Sequence, residues 1–159
     1  MKVLNVHSRI LHCRPEELKL LLDTLASQDD RVWPIHVWPR MTFKQGVKIG
    51  SKGGHGPIRY IITKLVRGAM YQFQFTNPKG FDGHHRFEID KLNKEGLKIT
   101  HSIQMRLRGM AIIKWLMVIR PLHNALIEDL FDNIGNRLTG KQQRSEWSLW
   151  VKFLRKILS

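Results

Sequence analysis

Two histidines on neighbouring segments are the residues whose type and spacing best suit chemistry. His101 lies in the most regular alternating segment of the chain, where apolar residues occupy all the other alternate positions from Leu97 to Leu107. This period of two predicts a β-strand with one buried face. His85 has the matching parity on the preceding alternating segment, so adjacent strands would bring both imidazoles onto that face. Buried imidazoles can orient a ligand hydroxyl or carboxylate, and they can also act as an acid and a base.

The two histidines have other interpretations besides ligand contact. A polar ring on an apolar face must find a hydrogen-bond partner or lose about 1–3 kcal/mol of stability, so both could be satisfied core residues bonded to a tyrosine or to the backbone. A histidine metal site is a further alternative, but the H-E-x-x-H spacing is absent. Cys13 is the single cysteine, which excludes a cysteine-based zinc site. We therefore predict no metal and no cofactor.

The segments around these histidines predict an α+β domain in which a sheet precedes a long helix. A strand is expected over Val3–His12 and a short helix from Pro15 to about Ala26. Alternating segments follow from about Met41 to Arg108, after which the spacing of apolar residues becomes that of a helix. Pro121 lies inside this long helix and is expected to kink or split it, because proline has no N–H to donate.

The glycine-rich run from Gly50 to Pro57 is predicted to be a loop, because it holds too many glycines for a strand. A Walker motif needs Gly-Lys-Ser/Thr at the start of a helix, whereas this run leads into a strand. The G-x-S-x-G pattern of a hydrolase nucleophile lacks its first glycine here. We therefore expect a flexible loop at the mouth of a cavity, for which a lid is one role.

Charged residues of the predicted long helix have mostly structural interpretations. Arg120, beside the proline, suits a ligand carboxylate, although an ion pair or the capping of a broken turn is favoured over that role. Glu128 and Asp129 are expected to be solvated.

A basic amphipathic helix is predicted near the C-terminus, over Ser145–Leu158. Two tryptophans together with basic side chains are typical of a helix that lies in a membrane interface. The alternative is packing of this helix on the domain or on a second subunit. The candidates for membrane contact are Trp147, Trp150, Lys152, Leu154, Arg155 and Lys156.

Composition and charge limit the classes of function. The 159 residues are 42% hydrophobic and 25% charged, which is typical of one globular domain. The 27 Lys and Arg residues outnumber 13 Asp and Glu residues, and the net charge of +14 favours an anionic partner. The positive charges are dispersed and belong to no nucleic-acid-binding motif, so specific nucleic-acid binding is not predicted and charge-driven contact with nucleic acid ranks below contact with a membrane.

No segment predicts export or membrane crossing. The N-terminal residues lack the apolar core and the cleavage site of a signal peptide. The longest apolar stretch, Met110–Ile119, is much shorter than the roughly 20 residues that cross a bilayer. The predicted location is the cytoplasm, with peripheral contact to the inner face of the membrane as an alternative.

Three segments resemble a known family. They are GGHGPIRY (Gly53–Tyr60), FQFTNPKGFDGHHRFEI (Phe73–Ile89) and VIRPLHNALIEDL (Val118–Leu130). In order and type they are similar to bacterial, uncharacterised members of the SRPBCC superfamily, which contains START lipid-transfer domains, the birch-pollen allergen and polyketide cyclases/dehydrases. The resemblance covers about residues 3–138. It implies a helix-grip fold, in which a curved antiparallel sheet wraps around a long C-terminal helix.

The resemblance implies an apolar cavity between sheet and helix within a ligand-binding domain of residues 1–140. Residues 141–159 would form an additional helix beyond the common pattern. The aromatic residues favour the same conclusion, because bulky rings on a curved sheet leave unfilled volume. The predicted ligand-binding residues are Tyr71, Phe73, Phe75, His85, Phe87, His101, Met105 and Trp115.

The preferred function is non-enzymatic binding or transfer of a hydrophobic or amphipathic small molecule, either lipid-like or polyketide-like. One alternative is a polyketide cyclase- or dehydratase-like enzyme that uses the same cavity, with the two histidines as its acid–base candidates. Nothing in the sequence demonstrates catalysis, so no catalytic residue is predicted. The other alternative is a peripheral membrane or nucleic-acid binder that acts through its charge.

Overall fold

Seven antiparallel strands form a single sheet in the computed structural model, which describes residues 1–92 and 96–158. The strand order is β1-β7-β6-β5-β4-β3-β2. Apart from the crossover that brings β1 beside β7, neighbours in the sheet are neighbours in sequence. The strands are β1 (Lys2–Leu11), β2 (Thr42–Phe43), β3 (Lys52–His55), β4 (Ile58–Val66), β5 (Met70–Asn77), β6 (Phe81–Leu92) and β7 (Gly96–Leu107).

Helices cover one face of this sheet. A short helix α1 (Pro15–Leu22) follows β1. The long helix (Met110–Thr139) consists of α2 (Met110–Lys114), a π-helical turn (Trp115–Ile119) and α3 (Arg120–Thr139). A last helix, α4 (Leu149–Leu158), packs against α3. This architecture confirms the predicted α+β helix-grip fold with an additional C-terminal helix.

The period-two pattern of β7 explains how the sheet and the long helix meet. Ile99 and Ile103 are buried on the face that also carries His101. From the other side, α3 buries Phe131 and Ile134 against this face. Removing such side chains from water supplies most of the stability of a domain of this size.

The long helix changes its hydrogen-bonding pattern just before Pro121, the residue at which the sequence predicts a kink or a split. The proline lies in the first turn of α3, and the π-helical turn just before it absorbs the irregularity. Proline cannot donate to the carbonyl four residues earlier, which belongs to Met117. Trp150 Nε1 in α4 donates to this carbonyl oxygen instead, at 2.8 Å. This hydrogen bond helps to dock the last helix on the long helix.

The prediction of a loop over Gly50–Pro57 is wrong for its central part, which forms strand β3. This strand pairs with both β2 and β4. A Cβ at Gly53 would overlap the carbonyl oxygen of Thr42, and one at Gly54 would overlap that of Ile58. Here the glycines permit close approach of the neighbouring backbones, so their abundance does not exclude a strand.

The long helix is the one helix among the described residues that is long and apolar enough to cross a membrane. Its most apolar stretch has a mean hydropathy of 1.3. The core helix of a globular domain satisfies the same criterion, and this helix buries Leu126, Leu130 and Phe131 within the domain core. The absence of a membrane span stays a prediction.

Candidate functional site

A cavity of about 910 Å³ lies between the sheet and the first half of the long helix. Its volume falls within the range of roughly 300–1,000 Å³ that is typical of small-molecule sites. Rings and aliphatic side chains form most of its wall, which includes Trp33, Trp38, Phe75, Phe87, Trp115 and Leu122.

His85 on β6 and His101 on β7 lie side by side in this wall. The register pairs Phe87 with His101 and His85 with Ile103, so the histidines are diagonal neighbours on one face of the sheet. His85 Nδ1 and His101 Nε2 are 3.3 Å apart and share a hydrogen bond. The two residues are 6% and 1% exposed.

Both imidazoles of this pair are neutral at physiological pH. Burial first, and then the nearby histidines, hold the pKa of His85 and His101 well below the usual value. Each neutral ring carries one N–H and one bare nitrogen. Because one proton occupies the shared hydrogen bond, the pair keeps one free donor and one free acceptor in either direction of that bond. These free positions are His85 Nε2 and His101 Nδ1.

Two further histidines extend this pair into a group that we call the histidine row (His55, His85, His101 and His123). The ring centroids of His101 and His123 are 4.9 Å apart. On the other side of His85, the Tyr60 ring lies between His85 and His55, with centroid distances of 4.8 Å and 6.1 Å. Burial lowers the pKa of His55 to about 4 and that of His123 to about 3. The row is therefore uncharged at neutral pH.

Several polar atoms of this group have no hydrogen-bond partner among residues 1–92 and 96–158. They are His85 Nε2, His101 Nδ1 and His123 Nδ1. The neighbouring Tyr60 Oη also has none, but Tyr60 does not line the cavity. A buried polar group without a partner destabilises a protein by about 1–3 kcal/mol, and such clusters recur at functional sites. A guest with hydroxyl or carbonyl groups could supply the missing partners after small shifts of the rings.

The polar rim of the cavity is cationic. Lys79, Lys114 and Arg155 contribute to its wall, and no Asp or Glu of the described residues does. Arg155 Nη2 donates to the carbonyl oxygen of Val37 at 2.5 Å, and the guanidinium lies 4.7 Å from the centre of a Trp38 ring.

Two carboxylates hold the loop between α1 and β2 so that its tryptophans, Trp33 and Trp38, line the cavity. Asp30, itself buried, accepts hydrogen bonds from the backbone N–H groups of Val32 and Trp33. Asp129 Oδ2 accepts the indole N–H of Trp38 at 2.7 Å and that of Trp147 at 2.9 Å. The expectation that Asp129 is solvated is wrong, because the side chain ties this loop and the segment before α4 to the long helix.

Glu128 is likewise not a free helix charge. Its oxygens accept hydrogen bonds from His7 Nδ1 and Arg9 Nη2, both at 2.8 Å. Arg9 also donates to Asp132 at 2.7 Å. These contacts fasten β1 to the long helix and hold that helix against one edge of the sheet.

Five of the eight predicted ligand-binding residues line the cavity: Phe75, His85, Phe87, His101 and Trp115. Three predicted residues, Tyr71, Phe73 and Met105, do not. The parity of the strands placed them on the correct face, but the cavity spans only part of that face. Whether the five contact a ligand stays a prediction.

Local packing explains where the other three predicted residues lie. Phe73 is fully buried. Its ring packs against those of Tyr60 and His85, with centroids 5.3 and 4.7 Å away. The hydroxyl of Tyr71 accepts a hydrogen bond from the backbone N–H of Gly68, near the turn that begins β5. Met105 belongs to a separate apolar cluster around the start of the long helix.

His55, His123 and Arg155 were missed as cavity residues. His123 lies four residues after Ile119, on the stripe that begins with Trp115, so its helical spacing carried a usable signal. His55 lies in the strand that was predicted to be a loop. Arg120, the arginine considered for a ligand carboxylate, is exposed and lies outside the cavity wall.

The residues predicted for membrane contact divide into two groups. Leu154 is 3% exposed, and Trp147 and Arg155 make the polar and ring contacts with the domain described above. Trp150, Lys152 and Lys156 are exposed. The first group packs on the domain, which is the alternative that the sequence indicated for this segment.

No group of three or more His, Cys, Asp or Glu side chains within the described parts of the chain could hold a metal ion. The histidine row is a sequence of neighbouring rings rather than a convergent set of ligands. Its chemistry is therefore that of neutral hydrogen bonding and proton exchange.

Comparisons with known proteins identify the fold. No protein-family model matches the sequence, and no curated protein matches it. The di-domain ARO/CYC StfQ from the steffimycin biosynthetic pathway is a similar solved structure, with 11% identity and a TM-score of 0.64. The alignment covers 88% of this chain and 51% of StfQ, so this chain spans about half of that protein.

Two smaller proteins align over most of their length. Norcoclaurine synthase from Thalictrum flavum, solved in complex with dopamine and hydroxybenzaldehyde, has 10% identity and a TM-score of 0.63, covering 91% of this chain and 90% of that one. CalU16 from Micromonospora echinospora has 8% identity and a TM-score of 0.56, covering 99% and 83%. At such identities the likeness shows the fold alone: this chain has a helix-grip fold.

Proposed function

We propose that the protein binds or transfers a hydrophobic or amphipathic small molecule in the cavity between sheet and long helix. The observation that carries this proposal is the combination of a 910 Å³ apolar cavity with buried imidazole nitrogens that lack partners. The apolar wall supplies affinity through removal of the guest from water. The histidine row then selects guests whose polar groups restore its hydrogen bonds.

The preferred guest has a ring or chain body and at least one hydroxyl or carbonyl group. A hydroxyl both donates and accepts, which matches the one donor and one acceptor that His85 and His101 keep free. The structure of norcoclaurine synthase with dopamine and hydroxybenzaldehyde shows that a protein of this fold accommodates small ring compounds with polar groups. This parallel supports the class of guest and leaves its identity open.

Binding is favoured over catalysis by the protonation chemistry of the histidine row. A general base works best when its pKa lies near the working pH. Burial depresses the pKa of His55 and His123 to about 4 and 3 and lowers those of His85 and His101 in the same direction. Such imidazoles are weak bases but good neutral hydrogen-bonding groups. A cyclase- or dehydratase-like activity in the same cavity is the alternative.

A cavity-filling substitution tests the proposal with Nile red, an uncharged dye whose fluorescence rises in apolar sites. We expect the native protein to bind the dye and Leu122→Trp, which fills the cavity, to weaken binding at least about tenfold. Leu20→Trp, on the exposed side of α1, is the matched control and should bind normally. Circular dichroism and urea midpoints verify that both variants are folded.

Native mass spectrometry of the protein purified from its own host provides a second arm of this test. A co-purifying small molecule that is absent from Leu122→Trp supports the proposal. Absence of any such molecule, together with equal dye binding by Leu122→Trp and Leu20→Trp, would contradict it.

We propose peripheral contact with an anionic membrane at the cytoplasmic face as a second candidate function. The observation that favours it is the exposed apolar face, formed by Leu116, Met117, Trp150, Phe153 and Ile157. These side chains are 42–58% exposed. Lys152 and Lys156 lie on the same helix, and neither α4 nor the long helix before Glu128 contains an acidic residue, so the charge suits an anionic lipid surface.

Co-sedimentation with vesicles tests this second function. The native protein should bind vesicles that contain phosphatidylglycerol and should bind phosphatidylcholine vesicles weakly. The double variant Trp150→Ser/Phe153→Ser should lose most of this binding, whereas Leu4→Ser/Val6→Ser, at two exposed apolar positions of β1, should retain it. Equal sedimentation of the two double variants would exclude the exposed apolar face as the contact.

A further inference from the structure

We propose that the cavity selects guests that carry an anionic group, such as a carboxylate, held at its rim by Lys79, Lys114 and Arg155. This inference rests on the proposed binding function and specifies the chemical class of the guest. Lys79, Lys114 and Arg155, each on a different element of the fold, are the lining cations.

Lys79 and Lys114 are carried by two elements in direct contact. Lys79 lies in the turn between β5 and β6, and Lys114 ends α2. The turn packs closely on the start of the long helix, because a Cβ on Gly80 would approach that of Ala111 to 2.8 Å. The backbone N–H of Arg108 also donates to the Gly80 carbonyl at 3.2 Å. This packing fixes the backbone positions of both lysines, which are exposed and line the cavity.

Arg155 reaches the cavity from α4. Its Nη2 is held by the Val37 carbonyl and its guanidinium plane by the Trp38 ring. Its Nε is buried and has no hydrogen-bond partner within the described residues. The side chain is therefore fixed in position with a donor left over, which suits the planar hydrogen bonding of a carboxylate.

Nothing in the described cavity wall neutralises these cations. No Asp or Glu lines it, and Asp129, which accepts the indole N–H groups of Trp38 and Trp147, lies outside the cavity wall. The histidine row is neutral, so it adds no charge to the cavity. Arg155 is half-buried and therefore attracts an anion more strongly than it would on an open surface, whereas the two exposed lysines add an attraction that salt screens. The geometry thus orients an amphipathic guest, with its apolar body inward and its anion outward.

A matched pair of probes tests the inference on the full-length protein. Dansyl-labelled undecanoic acid carries a carboxylate, and its primary amide is uncharged but otherwise nearly identical. Fluorescence titration should show that the acid binds about five- to tenfold more tightly than the amide, and added salt should weaken binding of the acid alone.

Variants then locate the selectivity. Lys114→Gln and Arg155→Gln should each bring the acid-to-amide ratio towards one by weakening the acid alone. Lys48→Gln, an exposed lysine outside the cavity wall, should leave the ratio unchanged. Arg155→Gln also removes contacts to the loop that carries Trp38, whereas Lys114→Gln removes no contact to that loop. A loss of acid preference in both variants is therefore an effect of charge.

The outcomes separate the inference from the function on which it rests. Equal binding of acid and amide by the native protein overturns the anionic selectivity and leaves the binding function intact. Failure of both probes to bind counts against the binding function itself. An acid preference that survives both Lys114→Gln and Arg155→Gln overturns the assignment to this rim.

Discussion

Single carboxylates hold distant segments of this protein together, and Asp129 is the clearest example. Its Oδ2 accepts indole N–H groups from Trp38, 91 residues away, and from Trp147, 18 residues away. The first indole belongs to the cavity wall and the second precedes α4. One side chain of the long helix therefore shapes the cavity and also docks the C-terminal segment.

Removal of this carboxylate should be costly. Asp129→Ala leaves two indole donors without their acceptor, and we expect the free energy of unfolding to fall by about 2–4 kcal/mol. Urea denaturation followed by tryptophan fluorescence measures the change. Asp29→Ala, at a carboxylate that is exposed and only ion-paired to Arg31 at 3.4 Å, should cost less than about 0.5 kcal/mol. Similar losses in both variants would contradict the role of Asp129.

The residue scale also shows where the sequence alone was insufficient. Parity along two alternating strands was enough to bring His85 and His101 together, because pairing of adjacent strands is local. The partners of Asp129 and the cavity position of Arg155 depend on loops whose paths have no periodic signal. Such contacts follow from tertiary packing, so a carboxylate on a helix resembled an ordinary solvated charge.

At the scale of elements, the turn between β5 and β6 is the joint between the sheet and the long helix. Gly80 lies there with a φ of +89°, and a Cβ would approach both Ala111 and the Arg108 carbonyl within 3 Å. Only glycine combines this backbone conformation with so close an approach. The joint also sets the positions of Lys79 and Lys114 at the cavity rim.

A pair of glycine substitutions isolates the close approach. Gly80→Ala should lower the free energy of unfolding by about 2–4 kcal/mol, since it adds a steric clash to the strain of a positive φ. Gly140→Ala has a similar φ of +69° but meets open space, and should cost only about 1 kcal/mol. Chemical denaturation of both variants gives the difference. No difference between them would show that the contact with Ala111 is not tight.

The elements with regular periodicity were predictable, and the short or glycine-rich ones were not. The strands from β4 to β7 and the long helix follow clear patterns of two and 3.6 residues. Strand β3 was missed because its glycines serve the approach of neighbouring backbones instead of burying side chains. The helix expected from Ser145 begins at Leu149, because the residues before it are held by Asp129 and Asp132 through Trp147 and the Ser145 N–H.

At the scale of the whole molecule, the enclosed histidine row links stability to pH. An unfolded histidine has a pKa near 6.5, and burial lowers that of His123 to about 3 in the folded protein. Between these values the unfolded chain binds more protons, so the contribution of His123 to stability decreases as the pH falls below about 6.5. Above that value the contribution is constant.

Substitution of His123 tests this linkage between stability and pH. His123→Leu should reduce the pH dependence of the free energy of unfolding by about 1.4 kcal/mol per pH unit between about pH 4 and pH 6. His12→Leu, at an exposed histidine, should leave the dependence unchanged. Urea titrations at several pH values measure both slopes. A slope that is identical in the native protein and in His123→Leu would show that this ring is not shielded from water.

Intermolecular NOEs between the protein and 2-naphthol test the central claim most directly, because this small guest combines a ring with a hydroxyl. The account predicts contacts from the naphthol protons to the rings of Phe75, Phe87 and Trp115, with shifts of the His85 and His101 side-chain nitrogens as their free positions gain partners. NOEs confined to surface residues, or saturating naphthol without any contact to these rings, would contradict the claim that the cavity is the binding site.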